Sequence, residues 1–233
     1  MKFRLPLTAL MLGAALVAAP AIAKDKDKKD EAAATPTPPP LPTTIDTDIT
    51  HEPENVLLLD LSDGGRVAIR MMPHWAPHHV ERVKTLAAQG FYNGQIFHRV
   101  IDGFMAQTGD PTGTGQGGSQ LPDLQAEFNT MPHLRGTVSM ARTNDPNSAN
   151  SQFFIVFYPR FALDKKYTVF GRVISGMQYV DAIHRGEPPE DPTKIVQASL
   201  ASENKPAPAA PVAPAAPTLK APSISDLNNS KSN

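Results

Sequence analysis

The residues of this chain that could do chemistry fall into a few small groups, and spacing weakens most of them. His98, Ser139 and Asp110 supply the ingredients of a hydrolase triad, but nothing around the serine forms a nucleophile elbow. His74, His78 and His79 suggest a metal site, with His74 and His78 one helical turn apart. No fourth ligand is evident and Pro77 marks a helix start, so a solvated helix end is the better reading and no metal is expected. Gly113-Thr114-Gly115-Gln116-Gly117-Gly118 contains G-x-G-x-x-G. A dinucleotide loop needs a helix opening directly after it, which Ser119-Gln120-Leu121-Pro122 does not give, so the stretch reads as a flexible surface loop. There remains Arg99, in the run Phe97-His98-Arg99-Val100, with Phe104, Met105, Phe153 and Phe154 downstream. Arginine offers a permanently charged, rigid fork of hydrogen-bond donors. Taken singly, such an arginine is a surface charge and such apolar residues are core. Strand alternation sends Phe153 and Phe154 to opposite faces, so one can be core while the other lines a groove.

The elements that must position these residues are mostly strands. Val56–Leu61 and Arg66–Met72, separated by Asp63-Gly64-Gly65, read as an opening hairpin with a slightly long loop. Ala76–Gln89 is helical, since Val80, Val83, Leu86 and Ala87 share one face and Gly90 is placed to end it. Further strands are expected at 97–101, 105–108, 136–141, 153–157, 168–173 and 194–201. A second helix is expected at 177–184, with Met177, Val180 and Ile183 at helical spacing. Many strands with only two helices predict a mainly β fold: a closed antiparallel barrel with helices over its ends.

Three linked segments carry the strongest signal. The first runs from Gly90-Phe91-Tyr92-Asn93-Gly94 through Phe97-His98-Arg99-Val100-Ile101-Asp102-Gly103-Phe104-Met105-Ala106-Gln107-Thr108-Gly109-Asp110. The second is Arg135-Gly136-Thr137-Val138-Ser139-Met140-Ala141-Arg142 with Asn147-Ser148-Ala149-Asn150-Ser151-Gln152-Phe153-Phe154-Ile155, and the third is Leu163-Asp164-Lys165-Lys166-Tyr167-Thr168-Val169-Phe170-Gly171. In this order they resemble the cyclophilin family of prolyl isomerases, over residues 55–201. The resemblance implies an eight-stranded antiparallel β-barrel capped by two helices and rotation about X–Pro bonds without any cofactor. It gives Arg99 the catalytic role, donating a hydrogen bond toward the prolyl nitrogen. Phe104, Met105, Phe154 and Leu163 match the family's proline-ring pocket, and Gln107 matches the glutamine that binds the substrate backbone. Ala141, Arg142 and Gln152 match the groove beside the rotating carbonyl, His98 lines the site edge, and Tyr167 stands where His is common. Arg142 replaces a frequent Asn in a role that is mostly main-chain. Ala162 stands where many eukaryotic members carry Trp, which puts strong cyclosporin binding in doubt and leaves isomerisation untouched.

Both ends differ in composition from the middle. Met1–Ala23 has a basic start (Lys2, Arg4), an apolar run from Leu5 to Ala19 and a small-x-small site at Ala21-Ile22-Ala23. It reads as a cleaved signal peptide, with the protein expected to be exported to a periplasm. The run is short for a bilayer span of ~20 residues, which makes an uncleaved anchor the weaker reading. Residues 24–53 form a charged, then Pro/Thr-rich linker and 203–233 an Ala/Pro-rich tail, both expected to be disordered, leaving 54–202 as the folded domain. The chain has 233 residues, no cysteine and a formal charge of −1. Loss of Lys2 and Arg4 with the signal takes that charge to −3, too balanced to suggest nucleic acid or an anionic membrane as partner. Without cysteine there are neither disulfides nor thiolate chemistry. The expected partners are proline-containing polypeptides, met by a monomer with no membrane contact once the signal is cleaved. A second reading keeps the same groove in a proline-peptide-binding chaperone with little turnover.

Overall fold

The computed structural model describes residues 43–209. The expectations for the signal, for most of the linker and for the tail beyond 209 lie outside them. The chain runs β1 (Val56–Leu61), β2 (Arg66–Met71), α1 (Pro77–Ala88), β3 (Arg99–Ile101), β4 (Met105–Thr108), β5 (Thr137–Met140), β6 (Phe153–Val156), β7 (Val169–Ser175), α2 (Met177–Ala182) and β8 (Ile195–Leu200), with short 3-10 turns between. These follow the alternation and helical spacing in the sequence, mostly trimmed at the ends. Phe97 and His98 precede β3 instead of opening it, and α2 stops two residues early. There Ile183 turns extended (φ −53°, ψ 128°) and buries its side chain.

The eight strands form one antiparallel sheet in the order β3-β4-β6-β5-β7-β2-β1-β8. It is strongly curled around a core that includes Leu57, Ile69, Phe97, Phe153, Ile155 and Phe170, which α1 joins with Val80, Val83 and Leu86. The closed barrel expected from the sequence is instead an open one. The edge strands β3 and β8 share no ladder. The gap is spanned by irregular bonds: Gly94 N–H to Ile195 O (2.7 Å), Ile195 N–H to Gln95 O (2.8 Å) and Phe97 N–H to Thr193 O (3.0 Å). The physical reason is that β3 has only three residues and Gly186 already pairs with Val100 there, at 2.7 and 2.9 Å.

Helix α1 shows how a distant side chain sets an element. Pro77 opens it, and the Glu127 carboxylate accepts the backbone N–H of His78 (3.2 Å) and of His79 (3.1 Å), together with both imidazole Nδ1 atoms at 2.6 Å. This caps orphan amides of the first turn. Two of the three histidines considered for a metal, His78 and His79, are therefore engaged with a carboxylate. The helix ends as a Schellman motif, with Gly90 N–H to Ala87 O and Phe91 N–H to Leu86 O, both 2.9 Å. From its buried face Arg82 donates to Asn150 O (3.2 Å) and Pro122 O (2.7 Å), fixing two loops. Within the stretch expected to be linker up to Pro53, residues 46–52 lie on the domain. The backbone carbonyls of Asp46, Asp48, His51 and Glu52 accept from the guanidinium of buried Arg70.

The glycine-rich stretch after β4 is tied down more than its composition suggests. The buried Asp110 carboxylate accepts from the Thr112 amide (2.7 Å) and hydroxyl (2.8 Å) and from the amides of Thr114 (3.0 Å) and Gly115 (2.6 Å). Gly117 passes so close that a Cβ there would lie 2.1 Å from Asp110 Oδ1. Burial pushes the Asp110 pKa up, but the hydrogen bonds from Thr112, Gly117 and Gly115 outweigh it and bring it down from 3.8 to about 2. A depressed carboxylate pKa stabilises the fold above its unfolded value, here by roughly 2 kcal/mol, and that contribution fades as pH falls from about 4 toward 2. Asp110→Asn sets amide hydrogens against backbone donors and is expected to cost about 1–3 kcal/mol near neutrality. Urea titrations of both proteins should show the gap narrowing below about pH 4; a gap independent of pH would contradict this account.

Candidate active site

The site is laid out by strand register. Arg99 of β3 lies opposite Gln107 of β4, and Gln107 lies opposite Phe154 of β6. Directly opposed residues in an antiparallel sheet share a face, so donor fork, amide and aromatic ring stand in one row. The neighbouring row is Ile101, Met105 and Val156. The residues between them, Val100, Ala106 and Ile155, belong to the barrel core, as does Phe153 beyond Phe154. The sheet therefore has a second apolar face.

On that face Met105, Phe154 and Val156 form a cluster of their own, with Ile101, Phe104, Ala141, Leu163 and Tyr167 packed against it. Six of the residues singled out from the sequence meet here: Phe104, Met105, Ala141, Phe154, Leu163 and Tyr167. The Tyr167 ring meets Phe154 edge-on at 5.7 Å and 83°. Arg142 covers Tyr167 at 4.5 Å, and its fork donates to Lys166 O and Thr143 O. The Arg142 side chain thus braces the pocket wall, while Arg160 lies 5.2 Å over Phe104. Phe161 and Ala162 are exposed beside Leu163. The single tryptophan, Trp75, is in a separate cluster with Met72, Met131 and Val169.

The polar wall is a chain of amides. Gln107 Nε2 donates to Gln152 Oε1 (2.8 Å), and Gln152 Nε2 donates to Gly115 O (3.1 Å) and Gly117 O (2.7 Å). Ala141 N–H donates to Gln152 O (2.9 Å), joining this wall to the apolar cluster. Beyond it opens a groove of about 630 Å³ whose lining includes Gln107, Gly117, Asn144, Asn150, Gln152 and Tyr167. Asn150 holds its rim by accepting from Ser119 and donating to Leu121 O and Asp123 Oδ1.

His98, expected at the site edge, lies beneath the groove-lining Gly115. It is only 4% exposed, under the loop where a Cβ on Gly115 would lie 3.6 Å from its ring. Burial pushes its pKa down, with the Asp110 charge opposing. The triad considered from the sequence is not assembled. Ser139 Oγ lies 2.9 Å from His133 Nε2, and the Asp164 carboxylate accepts from both the backbone N–H and Nδ1 of His133 at 2.8 Å. His133 stacks under Phe154, centroids 6.3 Å apart at 15°. Sequence reasoning missed His133 and the role of Asp164, although Asp164 lies within a quoted motif and His133 beside one, because no spacing rule pairs them. It also missed Glu187, whose carboxylate accepts from Arg99 Nε at 2.6 Å.

Comparison with known proteins agrees with this geometry. Residues 56–200 match the profile described as cyclophilin type peptidyl-prolyl cis-trans isomerase/CLD. A probable peptidyl-prolyl cis-trans isomerase of Brucella suis is 46% identical over 177 residues, covering 69% of this chain and 90% of the relative. A peptidyl-prolyl cis-trans isomerase-like 1 protein of Aspergillus fumigatus is 40% identical over 148 residues, covering 60% and 91%. Among solved structures, a cyclophilin from Hirschia baltica matches with a TM-score of 0.61 at 31% identity, over 66% of this chain and 77% of that one. A cyclophilin-type isomerase from Cryptosporidium parvum, crystallised in the presence of the dipeptide Ala-Pro, matches with a TM-score of 0.59 at 28% identity, over 62% and 98%. With the match running from the first strand to the last, the chain belongs to the cyclophilin-type peptidyl-prolyl cis-trans isomerase family and is itself an enzyme of that activity.

Proposed function

We propose that Arg99 is the catalytic residue, that Phe104, Met105, Phe154 and Leu163 receive the proline ring, and that the clients are polypeptides folding outside the cytoplasm. The observation that carries this reading is the row Arg99–Gln107–Phe154, a charged fork and an amide beside an aromatic floor. Rotation about an X–Pro bond requires the amide to lose its partial double-bond character, against a barrier of about 18–20 kcal/mol. A guanidinium N–H directed at the prolyl nitrogen draws its lone pair out of conjugation with the carbonyl. Among the described residues the Arg99 side chain makes one hydrogen bond, through Nε to Glu187, which leaves the N–H groups of Nη1 and Nη2 for substrate. Gln107 spends an amide hydrogen on Gln152, so its oxygen is left to accept a substrate backbone N–H. A barrier lowered by ~5 kcal/mol gives a rate gain of order 10³ to 10⁴.

The exported, periplasmic setting rests on the basic start, the short apolar run and the Ala21-Ile22-Ala23 site of the first 23 residues.

Arg99→Ala is expected to lower kcat/KM in a protease-coupled prolyl-peptide assay by about 10²- to 10³-fold, as loss of a transition-state donor does. A variant as fast as the wild type would refute the mechanism, and a wild type that suppresses aggregation without accelerating rotation would favour the chaperone reading. Leu163→Ala trims the ring pocket and should raise KM about three- to tenfold with kcat little changed. Mass spectrometry of the exported protein should find a chain starting at Lys24; an intact Met1 would mean a retained anchor.

A further inference from the structure

The cation of Arg99 is held by a group the sequence motifs do not contain. Glu187 Oε2 lies 2.6 Å from Arg99 Nε, across 88 residues of chain. Both side chains are about half exposed, at 41% and 52%, so the pair adds little to stability. Its placement is nonetheless built into the backbone. Gly186 exchanges two main-chain hydrogen bonds with Val100, the residue after Arg99 (2.7 and 2.9 Å), and so forms an extra rung along the outer edge of β3. Only glycine suits that rung: its φ is +147°, and a Cβ would lie 2.5 Å from Pro189 Cα and 2.9 Å from Pro188 O. The preceding residue, Arg185, is anchored as well, 4.3 Å over the Phe157 ring and bonded to Asp102 Oδ1 at 3.3 Å. Backbone and side chains together deliver the Glu187 carboxylate to Nε.

We propose that Glu187 is a positioning residue for the isomerase, fixing the guanidinium of Arg99 by its Nε so that the Nη1 and Nη2 edge is presented to the prolyl nitrogen. The inference rests on Arg99 being the catalytic residue. A free arginine on a three-residue edge strand samples many rotamers, and few of them aim a donor at one nitrogen of a bound peptide. An acceptor on Nε removes much of that freedom without occupying the donors that do the work. Because the guanidinium is planar, fixing Nε also fixes the plane in which the Nη hydrogens lie. The carboxylate acts through Arg99 and touches no substrate atom itself.

A double-mutant cycle on the full chain tests this, with kcat and KM separated by exchange NMR on a prolyl peptide. Glu187→Ala should lower kcat about three- to tenfold with KM within about twofold, as expected when a catalytic group is misaligned. Glu187→Gln keeps an oxygen acceptor for Nε and should stay within about twofold of the wild type. Added to Arg99→Ala, Glu187→Ala should cause no further loss, since nothing remains to be positioned. Thermal midpoints should be unchanged, which separates positioning from damage to the fold. Glu187→Ala matching or exceeding the wild type, falling equally far in the Arg99→Ala background, or being no worse than Glu187→Gln would overturn the proposal. Should Arg99→Ala itself retain full activity, the assignment of Arg99 fails and this inference with it. An impaired Arg99→Ala beside an unimpaired Glu187→Ala sinks the inference alone.

Discussion

Gln107 lies opposite Phe154 and Thr108 opposite Phe153 where β4 pairs with β6, and that register divides the molecule in two. Phe153 is fully buried and meets Tyr92 and Phe170 edge-on at 5.5 and 6.0 Å inside the barrel. Phe154 points the other way, into the outer apolar cluster with Met105 and Val156. A slip of one residue would exchange them, turning Phe154 inward and Phe153 outward. The interior aromatic contacts therefore set the outward geometry. Thr108 adds a second pin, its hydroxyl donating to Ile96 O at 2.9 Å. Core packing and catalysis are linked here through the two-residue period of a strand.

The loops around the sheet have few apolar residues with which to hold a shape, and buried and half-buried polar groups take that part. Asp110 gathers the turn behind the glutamines, Asn150 fixes the rim from Ser119 to Asp123, and Glu127 caps the helix whose Arg82 reaches back to Asn150. Each of these side chains is bonded to several donors or acceptors, the condition under which burying polar groups rigidifies a structure. The reaction suits such a frame. Isomerisation makes and breaks no covalent bond, so the protein needs a donor held in place and a ring held still.

Short-range patterns made much of this legible. Alternation located the strands to within a few residues, helical spacing and Gly90 bounded α1, and the order of three motifs named the family and gathered Phe104, Met105, Phe154, Leu163 and Tyr167. What the sequence hid is long-range and polar. Glu127 meets His79 across 48 residues, Asp164 meets His133 across 31, and Glu187 meets Arg99 across 88. No periodicity encodes such pairs, because a carboxylate is equally at home in solvent until the fold brings a donor to it. The barrel's opening was hidden for a related reason: strand signals give the number of strands, but the rung made by Gly186 decides what lies along the edge of β3. The burial of His98 was not legible either, because its neighbour in the motif is exposed while its own side faces the Gly115 turn.

Ser139, His133 and Asp164 show why distances alone do not assign chemistry. The two spacings, 2.9 and 2.8 Å, are those of a hydrolase triad. Yet Ser139 and His133 are fully buried, and the Phe154 ring lies stacked on the imidazole. Burial pushes the His133 pKa down, with Asp164 opposing, so the ring is neutral near neutrality. Its Nδ1–H then donates to Asp164, and its Nε2 accepts from the Ser139 hydroxyl. Every partner is satisfied with no substrate present, and the serine has no path to a carbonyl. What the trio does is mechanical: it ties the turn carrying Leu163 to β5 beneath Phe154, bracing the outer apolar cluster from below. The same three residue types that cleave bonds at a surface act here as a strut, and the difference is made by burial.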